Sequence, residues 1–163
     1  MSRNQIVGVG MDYSPMSKLA VRWAVENFVN IGDRFVVIHV SSKFDHPQKN
    51  LWENSGSPLI PLDEFKEMNV SKHYGVNKDQ EILDMLDTAS KTRKVIVFFK
   101  IYWGDPRLKL CEAVEDLKLN SLVVGSRGLG VLKRVLLGSV SDYIVTHATC
   151  PVTVVKGSLK LKS

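Results

Sequence analysis

Five short apolar runs, spaced along the chain and separated by stretches of helical periodicity, limit what this sequence can fold into more than any other feature. They read "QIVGVGM" from Gln5, "RFVVIHV" from Arg34, "KVIVFFKIYW" from Lys94, "SLVVG" from Ser121 and "PVTVV" from Pro151. Most are continuous rather than alternating, the pattern of strands covered on both faces in a parallel sheet. Pro151 at the start of the last run is tolerated there, since a first strand residue need not donate to the ladder. After the first run Asp12 precedes Ser14 and Pro15, which open a helix. Met16, Leu19, Ala20, Trp23, Ala24 and Phe28 form its inner face, and Gly32 is expected to end it. Helices are predicted over Asp63–Tyr74, with Gly75 as breaker, and over "DQEILDMLDTASKT". Asp105 as N-cap and Pro106 at the first helical position start another, with Leu110, Val114 and Leu117 inward. "GSVSDYIVTHA" is the last. Strand and helix in alternation specify an α/β fold: a doubly wound, mostly parallel five-stranded sheet with helices on both faces.

The chain has 163 residues, 44% of them hydrophobic, enough for one domain and its core. We expect that domain over residues 1–156, followed by a basic tail over 157–163. Residues 42–62, rich in Ser, Pro and Asn, with Pro47, Pro58 and Pro61 opposing regular structure, read as a long surface loop and a candidate lid. No run is long enough for a membrane span, and the expected setting is soluble and intracellular, in the cytoplasm or nucleus. Two cysteines, Cys111 and Cys150, form neither a disulfide framework nor a metal-ligand pattern, and are expected to be free thiols. A net charge of +5 without interleaved aromatic residues makes nucleic acid an unlikely partner.

The segment "VVGSRGLGVLKRVLLGSVSDYIV" places Gly125, Gly128, Gly130 and Gly138 between the fourth strand and the last helix. Such handovers are where backbone N–H groups and a helix N-terminus hold phosphate. Asp12, after the first strand, could face the same ligand across the switch point of the sheet, its carboxylate accepting from a ribose hydroxyl or a base amine. Lys133 and Arg134 could neutralise phosphate, or be a solvated helix face. The plain alternative is local: Gly138 as a turn, Ser139 and Asp142 as a capping-box-like pair, and Gly128 and Gly130 relieving a loop. His39 and His147, each lone among apolar neighbours, read as structural.

The pattern G-x2-G-x9-G-[ST], met by Gly125, Gly128, Gly138 and Ser139, joins "VGVGMDYS" and "CPVTVVK" in a chain that resembles the universal stress protein family. "LWENSGSPLIPL" and "KIYWGDPRLKL" are similar to its plant single-domain members, and the resemblance runs from about Ile6 to Lys156. It implies strand order 3-2-1-4-5, a homodimer, and bound ATP or AMP with Mg or Mn at the phosphates. By position it implies that Gly10, Met11 and Asp12 line the adenosine and that Val40 packs on the adenine. Val124 and Gly125 would flank the ribose and phosphates, with Gly128, Gly138, Ser139 and Val140 on the phosphates. Where some ATP-binding members carry Pro-Thr before the aspartate, this chain has Gly10-Met11, so a threonine hydroxyl contact is lacking.

No phosphate-loop signature G-x-x-x-x-G-K-[ST] occurs, and no base or carboxylate pair is evident, so a stress-responsive signalling module is expected rather than a fast ATPase, with slow hydrolysis left open. The alternative is a redox-sensitive, chaperone-like protective oligomer. It would use Leu51, Trp52, Leu59 and Ile60 as exposed apolar contacts and Cys111 or Cys150 as sensors, unless those side chains fold back over the pocket and the thiols are buried. The closing strand, Val152, Val154 and Val155 before Lys156, is the expected dimer edge. Its rival is a tail from Gly157 folding over that edge.

Overall fold

Alternate residues of the central strands face opposite layers, and that alternation divides the core in two. The computed structural model describes residues 4–41, 52–126 and 139–157. Strand β1 (Ile6–Gly10) pairs in parallel with β2 (Arg34–Ser41) on one side and β5 (Ser121–Gly125) on the other. Beyond β2 lies β4 (Ile96–Trp103) and beyond β5 lies β6 (Val152–Val155), all parallel. The five strands expected from sequence thus stand in the order implied by the resemblance. A sixth, β3 (Ile60–Pro61), adds antiparallel to the outer edge of β4, giving β3-β4-β2-β1-β5-β6.

Helix α1 (Pro15–Trp23) lies on one face with α2 (Leu62–Glu67), α3 (Val70–Tyr74) and α4 (Gln80–Arg93). They cover Val7, Val9, Phe35, Val37, Phe99 and Val123, none more than 3% exposed. Helices α5 (Pro106–Leu117) and α6 (Ser139–His147) cover the other face, over Val36, Ile38, Leu122 and Val124. Each such fully buried side chain contributes roughly 1.5–3 kcal/mol relative to exposure. Two layers of helix around one sheet therefore account for the unbroken apolar strands.

Three expectations need correction. The 42–62 segment, as far as it is described, does not stay apart from the sheet. Ser57 donates its N–H to the Ile101 carbonyl (2.7 Å) and its Oγ accepts from the Ile101 N–H (2.9 Å), just before Ile60 pairs with Phe99. Pro61 is tolerated because an edge residue need not donate. Trp52 packs half-buried on the core and Ile60 is 3% exposed, both on the α1 face, while Leu59 is exposed. The helix expected over 63–74 is two helices, because Met68 turns extended and Asn69 caps the second by accepting from the Lys72 N–H. The first helix does not run on to Gly32. It loosens into a π-helical turn over Ala24–Phe28 and Val29 is extended, so Gly32 (φ +86°) shapes the following turn.

That loosened helix end leaves carbonyls that Arg93, at the end of α4, takes up. Its Nη1 donates to Val25 O (2.6 Å) and Glu26 O (3.4 Å) and its Nη2 to Val29 O (2.9 Å). Charged donors on otherwise orphaned carbonyls are worth more than neutral pairs. Arg93→Ala should therefore lower unfolding free energy by about 1.5–3 kcal/mol in a urea titration, with the denaturant slope unchanged.

Candidate functional site

β1 stops hydrogen-bonding after Met11, whose N–H donates to Ile38 O at 2.8 Å, and the chain turns sharply over Asp12–Ser14. The turn is closed by side chains. Asp12 Oδ1 accepts from the Ser14 N–H (2.9 Å), Ser14 Oγ accepts from the Ser17 N–H (3.2 Å) as N-cap of α1, and the Asp12 N–H donates to Ser17 Oγ (3.2 Å). Between them Tyr13 adopts φ +66°, a left-handed conformation that costs a non-glycine residue about 1–3 kcal/mol. Its ring meets His39 edge-on (5.1 Å between centroids), and His39 Nδ1 lies 2.8 Å from Met11 O. Burial, then the nearby Asp79 charge, push the Tyr13 hydroxyl up to about 12.

The first turn of α1 thereby lies across the end of β5. A Cβ built on Gly125 would stand 2.6 Å from the Met16 carbonyl oxygen, so the absent side chain at Gly125 is what lets α1 seat. On the opposite side Asp105 caps α5 by accepting from the Arg107 N–H (2.9 Å), which sets Pro106 and Leu110 beside the strand ends. Val140 and Ser141 of α6 complete the wall. These elements enclose a cleft of about 420 Å³, a volume in the range of small-molecule sites.

Seven of the residues singled out in the sequence come together around it: Gly10, Met11, Asp12, Val40, Val124, Gly125 and Val140. Ser139 is the exposed first residue of α6 and is not in the wall formed by the described residues. Gly128 and Gly138, with Gly130, Lys133 and Arg134, lie outside the described residues. Sequence reasoning missed the α1 turn as a wall, with Met16 and Ser17, and also Ile38, Leu110, Ser126 and Ser141. Leu110 and Ile38 carry no signal that separates a cleft wall from ordinary core. Ser126 and Ser141 adjoin flagged positions and could have been found by proximity.

Electrostatically the described residues of the cleft wall supply one carboxylate, Asp12. Partial burial raises its pKa, but the side-chain and backbone hydrogen bonds from Ser14, the one from Ser17 and the charge of His39 outweigh it. The carboxyl is held below its ordinary value and is ionised at neutral pH. No group of three or more His, Cys, Asp or Glu that could hold a metal occurs among the described residues.

Residues 3–156 match the sequence model of the Universal stress protein family. The chain belongs to the universal stress protein family. Two similar relatives are universal stress proteins PHOS32 and PHOS34 of Arabidopsis thaliana, 34% and 36% identical over 92% of this chain. The chain spans 64% and 61% of their lengths. A crystal structure of a universal stress protein family protein from Arabidopsis thaliana with AMP bound superposes with a TM-score of 0.60 at 26% identity. That match covers 98% of this chain and 95% of the other.

The two glycines on the cleft wall make opposite demands. A Cβ on Gly10 would meet Leu110 and Val124 at 3.4 and 3.5 Å, ordinary contact, whereas on Gly125 it would strike backbone. Gly125→Ala should destabilise by about 1–3 kcal/mol, because α1 must shift. Gly10→Ala should keep its melting temperature or gain slightly, since a strand glycine is replaced without a clash. Differential scanning calorimetry of both variants is the check.

Proposed function

We propose that this chain binds an adenine nucleotide, ATP or AMP, in the cleft at the ends of β1, β2 and β5. The observation that carries the reading is the placement of that cleft. It sits at the carboxyl ends of parallel strands where the strand order reverses, walled by helix starts and holding one ionised carboxylate. The apolar walls, Val40, Ile38 and Leu110, suit a flat base, and Asp12 suits a ribose hydroxyl or an amine as acceptor. The glycine-rich stretch from Gly125 to Gly138 leads into α6 and would serve the phosphates through backbone N–H groups, with Ser139 and Val140. AMP in the Arabidopsis relative supports the same class of ligand. A divalent Mg or Mn would be held through the phosphates, because Asp12 is the lone carboxylate among the described residues of the cleft wall.

The protein so read is a stress-responsive signalling or regulatory module of the cytoplasm or nucleus, with hydrolysis slow at most. No helix among the described residues is long and apolar enough to cross a membrane. The protective-oligomer reading has less support: Ile60 is buried and Trp52 half-buried, leaving Leu59 as the exposed member of the described set. Burial also pushes both thiols up, Cys150 further through Cys111 and Glu115, which disfavours the reactive thiolate.

Calorimetric titration of nucleotide-stripped protein with AMP and ATP tests the reading. Saturable one-site binding is expected, and Asp12→Ala should weaken it by about 1–3 kcal/mol, the worth of a hydrogen bond to a charged group. Heats indistinguishable from dilution for both nucleotides would sink it.

A homodimer through β6 is part of the proposal. One sheet edge is covered by Ser57 and β3, whereas among the described residues β6 pairs with β5 alone and leaves Val152, Thr153 and Val154 half-buried. Such an edge invites an antiparallel copy about a two-fold axis. Val154→Lys should convert a dimer to monomer in sedimentation at micromolar concentration. A variant that sediments as the parent does would place the interface elsewhere.

A further inference from the structure

The sulfur of Met11 is placed as a hydrogen-bond acceptor, which is uncommon work for a core methionine. Met11 is 2% exposed and lines the cleft, yet its Sδ lies 3.3 Å from the Tyr13 backbone nitrogen and 3.4 Å from Ser17 Oγ. We infer that the Met11 thioether is a positioning group that holds the Asp12–Ser14 turn in shape, and so presents the Asp12 carboxylate to the ligand. This rests on the nucleotide reading for its functional consequence, though not for its structural one.

Tyr13 is where the turn is least favourable by itself, because a tyrosine at φ +66° is outside its ordinary backbone range. In that conformation its N–H points back toward β1, and the acceptor it meets is the Met11 sulfur. Without that acceptor a part-buried N–H would be left unpaired, and such a group carries a desolvation cost. The Ser17 hydroxyl ties the rest together. It accepts from the Asp12 N–H, and its single proton is shared among Met11 Sδ, Ser14 O (3.1 Å) and the Asp12 carboxylate. Ser14 N–H then reaches Asp12 Oδ1 at 2.9 Å. Sulfur, carboxylate and two hydroxyls thus form one connected set, with the polarizable thioether accepting two donors where a hydrocarbon would accept none.

A merely packed methionine and an accepting one differ in what a hydrocarbon replacement does. Met11→Leu keeps the volume and removes the acceptor. In the ligand-free protein, the Asp12 carboxyl is followed by NMR across acid pH. It should titrate below its ordinary value in the parent and move up toward that value in Met11→Leu, because the Ser14 N–H no longer holds it. AMP affinity, by calorimetry, should fall about three- to tenfold, the scale of one net hydrogen bond. In an Asp12→Ala background Met11→Leu should cause no further loss, since positioning has nothing left to position. Selenomethionine, which keeps a chalcogen acceptor, should behave as the parent. If branched leucine unfolds the chain, norleucine in place of methionine keeps the straight chain and removes the sulfur, and the same two readouts apply.

An unchanged Asp12 titration in the acceptor-free protein overturns the inference, whatever happens to AMP. So does a loss of affinity that adds in full to that of Asp12→Ala, which would make Met11 a direct contact. A parent that binds no AMP overturns the nucleotide reading, while the Asp12 titration in free protein still decides the role of the sulfur.

Discussion

The site depends on β1 being hydrogen-bonded on both flanks while the crossovers leading into its two neighbours, β2 and β5, run over opposite faces of the sheet. Right-handed crossovers require α1 to cover one face as the chain steps from β1 to β2. On the return α5 must cover the other, as the chain passes from β4 back across β2 and β1 to β5. Helices that diverge from adjacent strand ends cannot close over them, and the gap they leave is the cleft. Its position is a consequence of handedness and strand order, before any particular side chain is considered.

What the gap becomes is decided by how closely α1 approaches β5. Glycine at 125 allows the Met16 carbonyl to sit where a Cβ would be, so the turn before α1 folds down beside the strand ends. That turn is made of groups with unmet needs: a tyrosine in the left-handed region, a cap serine, and an aspartate. Their hydrogen bonds run to one another and to the Met11 sulfur. The same bonds that stabilise the turn hold Asp12 ionised, so local structure and site electrostatics have a single cause.

The two edges of the sheet are managed unequally. Segment 57–61 covers β4 by one backbone and one side-chain hydrogen bond between Ser57 and Ile101 and by a two-residue strand, and the proline that argued against regular structure is tolerated because an edge residue need not donate. Beyond β6 the described residues supply nothing comparable. Among the described residues, then, the β6 side is the direction left in which this sheet could add a strand.

Element type and order were legible in the chain alone, because apolar runs without alternation, the Asp105–Pro106 start and the Ser14 cap are local signals that the neighbouring layers only reinforce. So were Asp12 and Gly125, which follow from where strands stop, whereas Gly10, Met11 and Val124 were implied by the family resemblance before the cleft brought all five together. Local signals fail where a choice is settled by contacts distant in sequence. The π-helical end of the first helix is stabilised by Arg93, more than sixty residues away. The β3 edge strand exists only against β4. Leu110 and Ile38 become cleft walls through packing that leaves their hydrophobic periodicity unchanged. Gly125 shows the division most sharply. The sequence by itself determined that a glycine ends β5, and suggested a ligand as the reason. Only the tertiary structure decided that its missing side chain makes room for the backbone of α1, because that approach joins residues more than a hundred positions apart.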